Sequence, residues 1–355
     1  MKKMGIGLGL LLAVALVGCS SNSPTSTAPK EQAAQPQQQT TQPASNEQDL
    51  TELTAKFQPI GEIPVPADNP MTESKVNLGK KLFFDPRLSG DNKSSCATCH
   101  SPGAGYGDKL PTFVGFEGFK GPRNSPTVIN AGYYTSNFWD GRAANLEEQA
   151  LGPIQSKVEM NQNLDELVKE LKTVPAYVDE FKTVFNSEIT GENIGQAIAS
   201  FERTIVVNDT KVDRFLKGDK AALNEQEIRG MKLFAGKASC MSCHAGPTLS
   251  DQNFHNIGME GDDGRFNVTK QEADKGKFRT PALRGIAHTA PYMHDGSMDT
   301  LKKVIEYYNQ GGGNHGNKDP LVRPLNLSDE EVNDLVAFLE ALSGEVPKVD
   351  IPQIP

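Results

Sequence analysis

Cysteine is scarce: five residues in a chain of 355, too few for a disulfide framework to hold a chain of this length. An excess of basic residues is also missing. The net charge is −9, which argues against a nucleic-acid partner. The apolar stretch over residues 5–17 is shorter than the roughly 20 residues a spanning helix needs. Alternating strand-like runs are few, and tryptophan occurs once, at Trp139. About 300 residues remain past the N-terminal region, enough for two domains.

Four of the five cysteines fall into Cys96-Ala97-Thr98-Cys99-His100 and Cys240-Met241-Ser242-Cys243-His244. C-x-x-C-H is the attachment pattern of a c-type haem. Two thiols add across the porphyrin vinyl groups, and the adjoining imidazole sits where it can be the proximal iron ligand. A zinc ribbon would need its cysteine pairs about 15–20 residues apart, and the separation here is several times larger. His100 and His244 are therefore the expected ligands of two haem irons, held through Cys96, Cys99, Cys240 and Cys243.

The fifth cysteine belongs to export. Lys2 and Lys3 precede the apolar stretch, and Leu16-Val17-Gly18-Cys19 reads as a lipobox, predicting a lipoprotein signal peptide over 1–18 and a lipidated Cys19. Residues 19–50, rich in Ser, Thr, Pro, Gln and Ala, predict a disordered tether. The expectation is an exported protein in the periplasm or on the outer face of the cell membrane, touching lipid only through Cys19.

An internal repeat links the two haem motifs. Gly79-Lys80-Lys81-Leu82-Phe83 precedes the first, and Gly230-Met231-Lys232-Leu233-Phe234 precedes the second. Asn224 with Glu227, and Ser328 with Glu331, are capping-box pairs that open helices. Leu164, Leu167, Val168 and Leu171 recur with helical period, as do Ile194, Ala197, Ile198 and Phe201. The reading is all-α: two cytochrome c-like domains, each with one covalently attached haem. The expected division is 51–208 for the first haem domain, 209–345 for the second and 346–355 for a tail.

Further motifs accompany the haem sites: Gly121-Pro122-Arg123-Asn124-Ser125-Pro126-Thr127, Phe138-Trp139-Asp140-Gly141-Arg142, Val158-Glu159-Met160 and Ala290-Pro291-Tyr292-Met293-His294-Asp295-Gly296. In this order, over about residues 55–345, the set resembles the bacterial dihaem cytochrome c peroxidases and their MauG-like relatives. The resemblance implies an N-terminal peroxidatic haem, a C-terminal electron-transfer haem and a calcium ion between the domains. By position, Glu159 resembles the distal acid/base, Gln149 its pocket neighbour and Trp139 the tryptophan between the haems. Asn124, with the carbonyls of Thr289 and Pro291, resembles the calcium site, and His294 and Arg142 resemble groups that hold haem or propionate. Without the resemblance, Glu159 reads as a surface acid, Trp139 as a core aromatic and Asn124 as a turn former.

Two departures from the family pattern bear on activity. Family peroxidases carry a histidine, in the loop after the first haem motif, that blocks the peroxidatic iron until reduction. Here Phe116 stands there, and residues 101–145 contain no histidine. The second haem of typical members has a methionine as sixth ligand, where counting along the helix gives Tyr308, as in the MauG-like branch. Met293, Met298, Tyr307 and His315 are competing ligands, and a core tyrosine is the alternative. The implied activity is reduction of hydrogen peroxide to water with electrons from a small cytochrome c or cupredoxin. Two alternatives are oxidation of residues on a partner protein, and electron carriage without catalysis. In the former, the surface tryptophan used by MauG is replaced by Ala238. A homodimer is compatible with the resemblance.

Overall fold

Side-chain caps set where most helices begin. Thr72, Asn145, Asn163, Thr190, Thr210, Asn224, Thr300 and Ser328 each accept a hydrogen bond from a first-turn amide, satisfying donors that a helix leaves open. Asn224 and Ser328 form the capping boxes expected of them. The structure, a computed structural model, describes residues 44–355. The expected signal peptide, Cys19 and residues 19–43 of the expected tether lie outside the described residues.

The first half holds α1 (Ala44–Thr54), α2 (Glu73–Phe84), the short α3 (Cys96–Cys99), α4 (Leu146–Gln155), α5 (Leu164–Lys172), α6 (Pro175–Phe185) and α7 (Gly191–Glu202). The second holds α8 (Lys211–Leu216), α9 (Glu225–Ala235), α10 (Phe266–Thr269), α11 (Leu301–Asn309) and α12 (Asp329–Ala341). The only sheet among the described residues pairs β1 (Phe254–His255) with β2 (Phe278–Arg279), antiparallel, Phe254 opposite Arg279. Long loops fill the space between helices, and the protein is all-α with two cytochrome c domains.

The sequence repeat marks the same contact made twice. α2 crosses α7 so closely that a Cβ on Gly79 would meet the Ala197 carbonyl oxygen at 1.8 Å. α9 crosses α12 the same way, with a Cβ on Gly230 falling 2.0 Å from the Asp334 carbonyl oxygen. Four residues past each glycine a phenylalanine packs against a phenylalanine of the crossing helix. Phe83 meets Phe201 with ring centroids 5.1 Å apart, and Phe234 meets Phe338 at the same 5.1 Å. Around these crossings grow two hydrophobic cores, one with Leu78, Leu82, Ile198 and Phe201, the other with Met231, Leu335 and Phe338.

The chain ends do not respect the division expected at 208/209. Leu53 and Phe57 are buried in the second core, with Phe57 5.8 Å from Phe338, although they fall within the stretch expected for the first haem domain. The expected tether overlaps α1 over 44–50 because Leu50 also packs on that core. At the other end, Val346 and Val349 pack against the first core. Fully burying a large apolar side chain contributes about 1.5–3 kcal/mol, which holds Leu53 and Phe57 in place, while half-buried Val346 and Val349 contribute less.

Arg123 joins the halves. Its Nε and Nη2 donate to the two oxygens of Asp262, at 2.6 and 2.9 Å, while Nη1 donates to Asp140 at 2.5 Å. Arg265 donates to the Asp140 carbonyl at 2.8 Å, and the Arg279 amide donates to the Trp139 carbonyl at 2.8 Å.

Three substitutions test this architecture. Gly79→Ala forces apart a helix pair whose neighbour is backbone and cannot rotate away, so it should cost about 3 kcal/mol in denaturant unfolding of the haem-loaded protein. Gly61→Ala, with nothing within 4 Å of its Cβ, should be neutral, and equal effects of the two would refute the crossing argument. Arg123→Ala leaves two mostly buried carboxylates without their main partner and should lose about 3 kcal/mol. A loss below about 1 kcal/mol would mean the pair behaves as an ordinary surface bridge.

Candidate active site

Each C-x-x-C-H segment ends in a backbone arrangement that orients its histidine. The His100 ring Nδ1 lies 3.2 Å from the Tyr106 carbonyl oxygen, and the His244 Nδ1 lies 2.9 Å from that of Leu249. Tyr106 and Leu249 are both buried and both left-handed, with φ of 54° and 56°, which turns their carbonyls back toward the imidazoles. A donor role for Nδ1 leaves Nε2 as the free lone pair, the arrangement typical of metal-bound histidine. Burial holds both imidazoles below the ordinary histidine range, against the carbonyl bonds that favour the charged form. The neutral ring is the metal-binding one.

Around His244 a cavity opens whose walls include Cys240, Cys243, Phe278, Leu283, Leu301 and Leu339. This thiol pair, oriented imidazole and apolar wall fit a covalently held haem. Beside Cys96, Glu202 is buried with Oε2 unpartnered, and burial pushes its carboxyl up to about 8.

Tyr308, on α11, lines the His244 cavity. Burial, then the charges of Cys240, Cys243 and Tyr307, raise its phenol well above the ordinary range. Of its competitors, Met293 lines the same cavity. Tyr307 is committed elsewhere: its hydroxyl donates to the Ile257 carbonyl at 3.0 Å and accepts from the Gly313 amide at 2.7 Å. Met298 packs on the second core, and His315 lines a different pocket.

That second pocket carries Glu159. Phe113, Arg123, Arg142 and Val158 line it from the first half, and Asp262, Asp263, Asn267 and His315 from the second. Burial raises the Glu159 carboxyl, opposed by a hydrogen bond with Ser156 and the positive charge of Arg142. The loop bearing Phe116 lies on the Glu159 segment: the Phe116 amide donates to the Glu159 carbonyl at 2.8 Å, and the Gly115 amide donates to the Phe119 carbonyl at 2.8 Å. Gln149 is half-buried on α4 and is not among the residues lining this pocket.

Trp139 and Asn124 meet at the boundary of the halves. Trp139 Nε1 donates to the Asn124 carbonyl at 2.9 Å, and both residues line the His244 cavity. Thr289 and Pro291 line the same cavity. Asn124 Nδ2 donates to the Leu110 carbonyl at 2.9 Å, which turns its Oδ1 the other way. Among the described residues neither the Thr289 nor the Pro291 carbonyl accepts a hydrogen bond. His294 is buried and stacked on Phe278 with ring centroids 3.8 Å apart.

Sequence reasoning missed several members. His255 is held between Asp251, 2.9 Å from Nε2, and Asp319, 2.6 Å from Nδ1, on the wall of the His244 cavity. Hydrogen bonding with Cys243, then with Asp319 and Asp251, pushes it up to about 10 against the effect of burial. Cys243, Asp251 and His255 together could hold a metal ion, but a Cys243 thiol spent on a thioether is no longer a ligand. The Asp319 partner lies 64 residues from His255, a pairing no local pattern signals. Arg123 was visible inside a quoted motif, but its carboxylate partners were not.

Comparison with known proteins follows the same lines. The di-haem cytochrome c peroxidase family matches residues 73–221, and the cytochrome c family matches 228–343. Cytochrome-c peroxidase IdrP1 of Denitromonas iodatirespirans is 41% identical, covering 85% of this chain and 91% of its own. The methylamine utilization protein MauG of Methylorubrum extorquens is also 41% identical, covering 88% and 90%. Cytochrome c551 peroxidase of Pseudomonas aeruginosa is 40% identical, covering 86% and 89%. The crystal structure of a MauG-like protein associated with microbial copper homeostasis superposes with a TM-score of 0.75 at 35% identity, covering 81% of this chain and 94% of that one. With two C-x-x-C-H segments, two helix crossings of one design and relatives matched nearly end to end, this chain belongs to the di-haem cytochrome c peroxidase family.

Proposed function

We propose that this protein reduces hydrogen peroxide to water at the haem held by Cys96, Cys99 and His100, using electrons from a small cytochrome c or cupredoxin. The supporting observation is the Glu159 pocket, where a half-buried carboxyl with a raised proton affinity faces Arg142 beneath a loop carrying phenylalanine rather than histidine. The haems supply the electrons that peroxide takes up. Glu159 takes the proton from the bound peroxide oxygen and delivers it to the departing one, so water leaves instead of hydroxide. Arg142, 3.1 Å from both oxygens of Asp140 and 3.5 Å over the Phe138 ring, keeps a positive charge at the pocket mouth. Gln149 is assigned to the same reaction by its position in the family motif. Trp139, bonded to Asn124 on one side and to Arg279 on the other, is the proposed route between the haems. Calcium, held by Asn124 Oδ1 and the Thr289 and Pro291 carbonyls, would brace that route.

The sixth ligand of the second haem is assigned to Tyr308. Its phenol, raised by burial, needs a neighbouring cation to ionise, and ferric iron is such a cation. An anionic oxygen favours oxidised iron, which suits holding an oxidising equivalent. That feature favours a second reading, oxidation of residues on a partner protein, as does the 41% identity to MauG. Buried Ala238 occupies the neighbourhood, before the second haem motif, where the resemblance implies a surface tryptophan, and requires a different hole route in that case.

Steady-state peroxide consumption, with and without prior reduction of the enzyme, tests the main reading. The oxidised protein should turn over without a lag, since Phe116 cannot ligate iron. Glu159→Gln should cut turnover about a hundredfold with both haems retained. In the unaltered enzyme, activity should fall on the acid side at a pH above the ordinary carboxylate range, because Glu159 must be ionised to accept a proton and burial raises its pKa. That limb should vanish in Glu159→Gln, and unchanged turnover would remove Glu159 from the reaction.

Tyr308→Met should raise the potential of the second haem alone, because a neutral thioether replaces an anionic oxygen. Redox titration reads this directly. If neither Tyr308→Met nor Tyr308→Phe moves that haem's spectrum or potential, Tyr308 is a core residue.

A further inference from the structure

Tyr106 does two things at once. Its carbonyl holds the His100 ring at 3.2 Å, and its hydroxyl donates to the carbonyl of Pro347 at 3.3 Å, 241 residues away. Pro347 lies in the last stretch of the chain, past α12. Val346 and Val349, on either side of it, pack against the first core, and Arg87 Nη2 donates to the Pro355 carbonyl at 2.7 Å. Arg87 is itself anchored, with Nε 2.9 Å from Asp85, whose other oxygen accepts from Tyr177 at 2.6 Å. Residues 344–355 therefore cross from the second haem domain and run over the first.

The start of this segment is tied down on its own side. His288 Nε2 lies 2.8 Å from the Gly344 carbonyl, and the Ala287 amide donates to Ser343 at 2.9 Å. The His288 carbonyl in turn takes a hydrogen bond from Lys109, and a Cβ on Gly105 would fall 2.3 Å from its oxygen. Thus the loop that holds His100 is gripped from two directions by parts of the second domain.

The second haem provides the contrast. Leu249 performs the same backbone task for His244, from the same left-handed conformation. Its side chain simply ends in its own domain's core and has no hydroxyl to reach elsewhere.

We propose that residues 344–355 are a strap and that Tyr106 is a positioning residue, through which the strap fixes the orientation of His100 and so the proximal side of the first haem. A tyrosine is needed there because the ring fills the core while the hydroxyl reaches the strap. The buried phenol is pushed up to about 12, so it stays a donor across the working range. The strap also gives the second domain a mechanical hold on the first iron that does not pass through Trp139.

This inference rests on His100 being the ligand of the first haem, and the test separates the two claims. In the dihaem protein, Tyr106→Phe removes the hydroxyl and keeps the ring. A second variant, Val346→Asp with Val349→Asp, places charges where the strap meets the first core and should release it. Resonance Raman of the ferrous protein reads the Fe–His stretch of the first haem, and electron paramagnetic resonance reads the two ferric haems separately. Both variants should shift the Fe–His band and the ferric signal of the first haem while the second haem's signal stays in place. No shift in either variant, or equal changes at both haems, would overturn the strap. If His100→Gly leaves the ferric signal of the first haem unchanged, His100 ligation itself fails, whatever the strap variants do.

Discussion

Two helices that touch backbone to backbone underlie both haem domains. A close-packed interior transmits any added volume, and here the contact atom across from each glycine is a carbonyl oxygen that no rotamer change can move. With the crossing fixed, Phe83 and Phe201 in one domain, and Phe234 and Phe338 in the other, fall into the same separation. The C-x-x-C-H segments follow these helices by short links, so the position of each histidine is inherited from the crossing. Duplication of one contact thus explains why the two haem sites share one scaffold.

What differs between the sites lies in the loops and in what reaches across. The first histidine is served by a residue whose side chain extends to the far end of the chain, the second by one that does not. The Glu159 pocket draws lining residues from both halves, and all three guanidinium nitrogens of Arg123 donate to carboxylates from both. Trp139 is pinned between Asn124 and Arg279. Chemistry at the first haem is in this sense a property of the pair of domains rather than of either alone.

Much of this was legible in the sequence because it is local. Caps, helical periods, the C-x-x-C-H segments and the repeated glycine act over a few residues, and they read correctly. The position of Tyr308 on the inner face of α11 followed from the spacing of Leu301, Val304 and Ile305. What could not be read depends on distant partners: His255 with Asp319, Arg123 with Asp262, Tyr106 with Pro347. The chain ends are hidden for the same reason: Leu53 and Phe57, placed in the first haem domain by sequence, and Val346 and Val349, placed in a tail, declare their cores only once it is known what lies beneath them.

The exchanged chain ends bear on how the protein is made. Synthesis runs from the N-terminus, so α1 emerges long before the core it packs on, and it must wait through the whole first domain. The first core, conversely, lacks Val346 and Val349 until the last residues are complete. Until residues 344–355 are in place, the Tyr106 hydroxyl lacks its partner on Pro347. Each core is thus completed by a stretch far from it in sequence, and neither domain closes fully without the other.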